Sequence, residues 1–426
     1  MTLYRVTPAR LPIDVQLRPP GSKSITIRAL AAAALAEGTS EIGSPLEAED
    51  TQAMRRAVSS FGAVVRDRVD PWSVEGVGGA PSSPDWKIDA GESGLTARIA
   101  IAIAALTSGL TVVTGRGRLP ERPMSGLVEA LESLGVETRP RDGRLPIEVV
   151  GRGSITGGEV KIDCSATSQF ATALLLIAPL FDNPSRIRLE GLSGSWGYLE
   201  VTRRVIAAFG GHIKPCEGGF EVLPSGYQPA RFDVEPDASA AAYPLVAAAI
   251  TGGRVVIDGL GLDSAQPDIT LVSRLEEMGC QITGAPDHLI LQGPEELDPI
   301  EADMSGAPDA ALALAVTCLF ARGESRISGL GSLRFKESDR LAALADSFAA
   351  LGAQARIEDE DLVVVPGSLV GAVLDSHGDH RIAMALSLVG LAVPGVAIAR
   401  PEVVSKTWPE WWAVLERMAV PDTTLD

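Results

Sequence analysis

Apolar positions along this chain recur in two alternating helical patterns, separated by short strand-like runs. One pattern is alanine-rich and apolar on every side. Such stretches open near Arg28, Thr96, Thr167, Ser239, Asp309 and His380, at spacings of roughly 70 residues that mark an internal repeat. A helix apolar all round belongs in an interior. The second pattern is amphipathic, with apolar residues at i, i+4 and i+7. It reads Met54/Val58/Phe61, Leu127/Leu131/Leu134, Leu271/Leu275/Met278, Leu344/Phe348/Leu351 and Trp411/Leu415/Met418, with Val201/Val205 as an offset copy ending at Phe209-Gly210. Gly62, Gly135, Gly279 and Gly352 follow at the position where a left-handed residue closes a helix.

Strand-like runs fill the remainder of each unit. Examples are Ala63–Arg66, Trp72–Val74, Val136–Arg139, Ile147–Val150, Phe220–Leu223, Gln281–Thr283, His288–Leu291 and Leu362–Val365. A further run ends in an apolar residue and an aspartate: Ile88-Asp89, Ile162-Asp163, Phe232-Asp233, Ala302-Asp303 and Leu374-Asp375. Each leads into the next alanine-rich helix. The expected unit has two helices and about four strands, used six times. Such a unit is longer than solenoid repeats of about 20–45 residues, and three units around one core make a globular half. The expected fold class is α/β in two similar domains, 21–235 and 1–20 plus 236–426. The N-terminal strand completes the second. Hinges are expected at Arg18–Gly21 and near Glu235–Pro236, where prolines stiffen the crossings.

Composition narrows the function. The 426 residues carry 37 basic and 55 acidic side chains, a net charge of −18, which repels nucleic-acid phosphates. No apolar run approaches the length of a membrane span, and the N-terminus lacks a signal-peptide apolar core. Four cysteines without CxxC spacing point to a reducing compartment, hence the cytoplasm, and against a zinc site. Four histidines without a metal-binding motif make metal chemistry improbable.

The strand-to-helix junctions hold the unusual residues. They read Gly21-Ser22-Lys23-Ser24, Gly91-Glu92-Ser93-Gly94-Leu95, Ser165-Ala166-Thr167-Ser168-Gln169, Pro236-Asp237-Ala238-Ser239, Pro308-Asp309 and Asp379-His380-Arg381. Helix N-termini offer unpaired N–H groups to anions. Arg122 lies between prolines in Leu119–Pro123, and Arg334–Arg340 is expected to open an amphipathic helix with Lys336 and Arg340 on one face. Lys406 precedes the last helix. Taken singly, these are N-caps and solvated charge ladders, and Arg98 reads as a surface residue. Their recurrence at one structural position in an acidic protein points instead to an anion-binding cleft.

Gly21-Ser22-Lys23-Ser24, Leu119-Pro120-Glu121-Arg122-Pro123, Thr167-Ser168-Gln169, Pro308-Asp309-Ala310-Ala311, Lys336-Glu337-Ser338-Asp339-Arg340, Asp379-His380-Arg381 and Lys406-Thr407 occur in order over essentially the whole chain. This set resembles the 3-phosphoshikimate 1-carboxyvinyltransferase (EPSP synthase) family of enolpyruvyl transferases. The resemblance implies three βαβαββ-type repeats per domain, with helices inside sheets as an inside-out α/β barrel and the active site in the interdomain cleft. It implies transfer of the enolpyruvyl group of phosphoenolpyruvate to the 5-hydroxyl of shikimate 3-phosphate, a step of chorismate and aromatic amino acid biosynthesis. No metal and no organic cofactor is implied, and a cytoplasmic monomer is expected.

By the same resemblance, Lys23, Ser24, Arg28, Thr167, Ser168, Gln169, Ser195, Tyr198, Asp309, Ser332 and Lys336 bind shikimate 3-phosphate. Lys23, Gly94, Arg122, Gln169, Arg340, Arg381 and Lys406 bind phosphoenolpyruvate. Asp309 takes the hydroxyl proton, Glu337 protonates the methylene carbon, and Lys23 assists. Three positions depart from the family pattern: Glu92 stands for Asn with Leu95 after Gly94, Ser332 stands for Asn, and Trp196-Gly197 follows Ser195. A Glu92 carboxylate pointing inward would repel phosphoenolpyruvate and its phosphonate mimics; one pointing outward would be harmless. Two other readings compete with this one. A UDP-N-acetylglucosamine enolpyruvyl transferase would carry a cysteine in the loop before Arg122, and Thr114–Leu119 has none. A non-catalytic anion-binding paralogue would lack Asp309, Glu337 or Lys23, and all three are present.

Overall fold

The alanine-rich stretches carry too few polar side chains to face water, and they form the interior. In the computed structural model, which describes residues 2–85, 87–191, 194 and 196–420, twelve α-helices alternate between two kinds. They are α1 Lys23–Leu35, α2 Glu49–Ser60, α3 Gly94–Ala104, α4 Ser125–Ser133, α5 Gln169–Ile177, α6 Trp196–Ala208, α7 Ala238–Thr251, α8 Thr270–Glu277, α9 Ala311–Cys318, α10 Arg340–Ala350, α11 His380–Ala392 and α12 Trp411–Ala419. The odd-numbered helices are buried almost throughout: all of α3 and α9, and Ile25–Leu35 of α1. The even-numbered ones bury a single face, as in α10, where Leu341, Leu344 and Phe348 turn inward. Gly62 and Gly279 follow α2 and α8 with φ of 105° and 101°, a conformation that favours glycine.

The chain divides into two compact units, residues 21–235 and residues 1–20 with 236–426. In the first, α1, α3 and α5 pack on one another; in the second, α7, α9 and α11 do. Sheets flank each helical trio. Residues 21–235 carry three four-stranded sheets. The first is ordered Arg231–Asp233, Thr39–Gly43, Trp72–Glu75, Val64–Arg66. The second is Ile88–Asp89, Ser108–Thr114, Arg144–Arg152, Glu137–Arg141, and the third Glu159–Asp163, Ser185–Glu190, Gly219–Val222, Ile213–Cys216. The other unit has two four-stranded sheets and one three-stranded sheet of Leu3–Arg5, Ala397–Ala399 and Val373–Asp375. With three or four strands each, the sheets stay open; closure into one barrel takes about eight.

Within a repeat, the strand ending in aspartate runs parallel to the strand after the buried helix, as in Glu159–Asp163 beside Ser185–Glu190. The remaining pairs are antiparallel. Strand Asp14–Leu17 pairs in parallel with Arg254–Asp258, so the N-terminus completes a repeat of the unit to which it belongs. The terminal aspartates shape the junctions. Asp89, Asp163, Asp303 and Asp375 each accept the backbone N–H two residues on, at 2.8 Å. This Asx turn swings the chain from strand into buried helix and leaves the helix N-terminus with its polar residues at a sheet end. Among the described residues, no helix is long and apolar enough to cross a membrane.

Candidate active site

The junctions of residues 21–235 gather basic side chains around the starts of the buried helices. Lys23 is the first residue of α1, and its Nζ lies 3.2 Å from the buried carboxylate of Asp50 at the start of α2. One turn on, Arg28 is 1% exposed. It donates to the Thr202 and Thr172 hydroxyls at 2.8 and 3.2 Å and to the carbonyls of Ser24 and Tyr198 at 2.8 and 3.4 Å. Burial without a carboxylate beside it pushes this guanidinium down to about 10. A buried cation held by neutral groups alone is costly, and an anionic ligand would supply the missing charge.

A second group surrounds Gly94, the first residue of α3. A Cβ there would meet Arg98 Nη1 at 2.6 Å and Arg122 Nη1 at 2.9 Å, so only glycine allows both guanidinium groups this close to the helix end. Arg98 donates to Gln169 Oε1 at 2.7 Å and to the Pro123 carbonyl at 2.9 Å, and lies over the Phe170 ring. It is 1% exposed, which corrects the surface reading given by sequence alone. Its partners come from α5 and from the proline-flanked loop, both far from it in sequence. Ser168 is buried, while Thr167 accepts the Gln169 N–H at 3.3 Å. Tyr198 is half-buried on α6, and Trp196 packs its ring against Phe220. Ser195 lies outside the described residues. Glu92 is exposed, and its carboxylate rests against Gly117, where a Cβ would approach it to 2.6 Å.

In residues 236–426 the cations are interleaved with acids. Asp309 Oδ1 meets Arg340 Nη1 at 2.7 Å and Lys336 Nζ at 3.5 Å, and its Oδ2 meets Arg381 Nη2 at 3.3 Å. Burial favours the protonated form of Asp309, but Arg381, Lys336 and Arg340 overcome it and hold the carboxyl well below the usual range. Glu337 meets Arg340 at 2.9 Å and Lys406 at 3.5 Å. Arg340 also binds the fully buried Asp379 at 2.7 Å. Burial opposes its charge, yet Asp379, Glu337 and Asp309 together raise it above the usual guanidinium range.

Asp379 is the hub that sequence reasoning treated only as a cap. It accepts the Arg381 N–H at the start of α11, the Ser338 hydroxyl and the Arg340 guanidinium. The expected helix over Arg334–Arg340 is also corrected: α10 begins at Arg340 behind an Asp339 cap, and Arg334 lies in a 3-10 turn over Gly331–Phe335. The cap ends the helix there, so Lys336 and Arg340 converge on Asp309 from a loop and a helix end instead of sharing a helix face. Ser332 is half-buried in the same 3-10 turn. Asp268, in the turn Pro267–Ile269, was not foreseen. It is 3% exposed and lies in the field of Arg381, Asp309 and Asp237. A lone aspartate in a Pro-Asp turn gave no sequence signal for it.

Comparison with known proteins gives a family and a fold. Residues 8–415 match the family model of EPSP synthase (3-phosphoshikimate 1-carboxyvinyltransferase). The chain is 39% identical to a 3-phosphoshikimate 1-carboxyvinyltransferase of Methanosphaerula palustris over 95% of this chain and 96% of the relative. To the protein of that name in Vibrio cholerae it is 37% identical, over 94% and 96%. In fold it is similar to EPSP synthase from Acinetobacter baumannii, with TM-score 0.83, 24% identity and 98% of each chain covered. It is also similar to the enolpyruvyl transferase NikO from Streptomyces tendae, with TM-score 0.77, 18% identity and 98% and 97% covered.

Proposed function

This chain belongs to the EPSP synthase (3-phosphoshikimate 1-carboxyvinyltransferase) family, and we propose from that premise how its own residues carry the reaction. The enzyme transfers the enolpyruvyl group of phosphoenolpyruvate to the 5-hydroxyl of shikimate 3-phosphate and releases phosphate. Bond making requires a proton on the phosphoenolpyruvate methylene carbon and loss of the hydroxyl proton. Phosphate and one proton then leave a tetrahedral intermediate.

Of residues 21–235, Ser24, Arg28, Thr167, Ser168, Gln169, Ser195 and Tyr198 hold shikimate 3-phosphate, with Arg28 taking its ring carboxylate. The buried guanidinium among hydroxyls and carbonyls supports that role. Lys23, Gly94, Arg122 and Gln169 hold phosphoenolpyruvate. Of residues 236–426, Ser332 and Lys336 serve the first substrate and Arg340, Arg381 and Lys406 the second. Asp309 accepts the hydroxyl proton and Glu337 protonates the methylene carbon, with Lys23 assisting.

One observation carries this assignment: the Asp309 carboxylate is shared by Arg340, Lys336 and Arg381. Held so low, it is a poor base in the empty protein. Anionic groups on those cations weaken their grip and move Asp309 toward a useful proton affinity. Substrate binding thus prepares the base. Glu337, between Arg340 and Lys406, is placed to respond to the same anions.

The test is phosphate release from a mixture of both substrates, with the reaction also run in deuterated water. Solvent deuterium is expected in the product methylene, and Glu337→Gln should slow its entry together with phosphate release. An unchanged rate of deuterium entry in that variant would remove Glu337 from the step. Four free cysteines, three of them buried, support a reducing compartment such as the cytoplasm, and sedimentation at working concentration tests the expected monomer.

A further inference from the structure

Helix α3, Gly94–Ala104, is built almost wholly of small and apolar residues, and Arg98 is its one charged side chain. Every residue of the helix is buried, and Arg98 is 1% exposed. A leucine or methionine would fill such a position without the cost of burying a charge. Packing alone therefore does not account for an arginine there, but its contacts do. Nη2 donates to the Pro123 carbonyl at 2.9 Å, and the guanidinium carbon lies 5.1 Å from the centre of the Phe170 ring, over its face. With one prong and one face so held, the plane of this rigid, forked group is set. The other prong, Nη1, donates to Gln169 Oε1 at 2.7 Å.

Gln169 is the first residue of α5 and is half-buried. Its backbone N–H is held by the Thr167 hydroxyl at 3.3 Å. A side-chain amide has two unlike ends of similar shape, an acceptor oxygen and a donor nitrogen, and a half-turn about its last bond exchanges them. A guanidinium only donates, so the end facing Arg98 is the oxygen. The two Nε2 hydrogens are thereby turned away from Arg98, where they serve an acceptor, and the phosphates and carboxylates of both substrates are acceptors. Without Arg98 the amide loses this reference and has to be ordered by the ligand at the moment of binding.

We propose that Arg98 is a positioning residue for the reaction: it locks the Gln169 amide with its oxygen toward α3 and so presents the Nε2 donor pair to an anionic substrate. This rests on the assignment of Gln169 to the substrates. Arg98 acts through Gln169 and does not itself touch substrate, because Nη1 and Nη2 are committed to Gln169 and Pro123.

A double-mutant cycle on KM tests the coupling in the full chain. Gln169→Met removes the donor pair and should raise the KM of shikimate 3-phosphate or phosphoenolpyruvate by about 10- to 100-fold, the scale of a hydrogen bond to a charged group. Arg98→Met keeps the apolar stem and should raise the same KM by about 3- to 10-fold, the cost of ordering a loose side chain on binding. With both changes the KM should stay within about twofold of Gln169→Met alone, since no amide is left to orient. A merely structural defect lowers the active fraction, hence kcat, and leaves KM where it was. A parental KM in Arg98→Met, with Gln169→Met impaired, overturns the positioning role and leaves the functional assignment intact. Two factors that multiply in the double variant also overturn it, by placing Arg98 on the substrate itself. Parental KM values for both substrates in Gln169→Met overturn the assignment of Gln169, and the positioning role with it. Should Arg98→Met not fold, Arg98→Lys takes its place in the cycle. Its single ammonium lacks the fork that sets the amide plane, so the same outcomes support or overturn the proposal.

Discussion

The two units are built from the same repeat, yet their polar interiors differ in charge balance. The junctions of residues 21–235 place Lys23, Arg28, Arg98 and Arg122 with Asp50 as the neighbouring buried acid. Arg28 is held by hydroxyls and carbonyls, and Arg98 by an amide, a carbonyl and a ring face. Residues 236–426 interleave Lys336, Arg340, Arg381 and Lys406 with Asp309, Glu337 and Asp379. A buried cation held by neutral dipoles, as Arg28 is, is a standing invitation to an anion. A balanced lattice of acids and bases is a means of moving protons when one member is disturbed. The same repeat thus carries a buried guanidinium among neutral groups in one unit and interlocked acids and bases in the other.

Proton-transfer groups provide the largest test. Asp309→Asn and Glu337→Gln should each lower turnover by about 10²–10⁴-fold, with smaller effects on either KM. Near-parental turnover in one of them removes that residue from the mechanism and blurs the contrast between the halves.

The contrast should also appear in stability without substrate. Arg340→Met strips a cation from Asp379, Asp309 and Glu337. Leaving buried carboxylates uncompensated costs about 3–5 kcal/mol, so the melting temperature should fall steeply. Arg28→Met removes a buried charge that has no carboxylate partner, so the empty protein should melt at the parental temperature or above. The same variant should weaken shikimate 3-phosphate binding by about 10- to 100-fold, the scale of a hydrogen bond to a charged group. Equal destabilisation by the two variants would show that charge balance does not separate the units.

A smaller effect separates the carboxylates of residues 236–426 from one another. In the empty fold Asp268 lies above its ordinary 3.8, at about 6, mainly through burial. Its contribution to stability is therefore present below about pH 4 and lost as pH rises through 6. Asp309 has the opposite sign: held low, it contributes above the unfolded value, and that is lost on acidification. Asp268→Asn should thus gain on the parent between pH 5 and pH 7.5 when melting is compared at both. A gap that narrows over this interval would contradict the direction given for Asp268.

Much of this was legible in the sequence because it depends on local signals. All-apolar helices at regular spacing, amphipathic helices closed by glycine, and strands ending in aspartate are one-dimensional patterns. The motif residues from Lys23 to Lys406 were named by resemblance to a family pattern, which is likewise one-dimensional. Partners were not legible. That Arg98 turns to Gln169 and Pro123, that Asp50 sits by Lys23, and that Asp379 joins Arg340 to α11 depend on the packing of distant helices. The Lys336–Arg340 spacing misled because i, i+4 matters only inside a helix, and Asp339 caps the helix one residue before Arg340.

The smallest expected effect concerns Glu92, the one acid in the glycine-rich junction of residues 21–235. Were it turned toward Gly94, it would set a carboxylate beside the guanidinium groups of Arg98 and Arg122. Its carboxylate instead lies against Gly117 in the loop that leads to Arg122, and the residue is exposed. Arg98, the nearest buried guanidinium of α3, is engaged with Gln169 and Pro123. Water screens an exposed charge, and surface substitutions stay within about 0.5 kcal/mol, or roughly twofold in an equilibrium constant. Glu92→Asn should therefore leave the phosphoenolpyruvate KM, and inhibition by phosphonate mimics, within about twofold of the parent at moderate salt. A tenfold gain in affinity from that change would place the Glu92 charge in the field of the bound phosphate. The junctions of residues 21–235 would then interleave an acid with their cations, as residues 236–426 do.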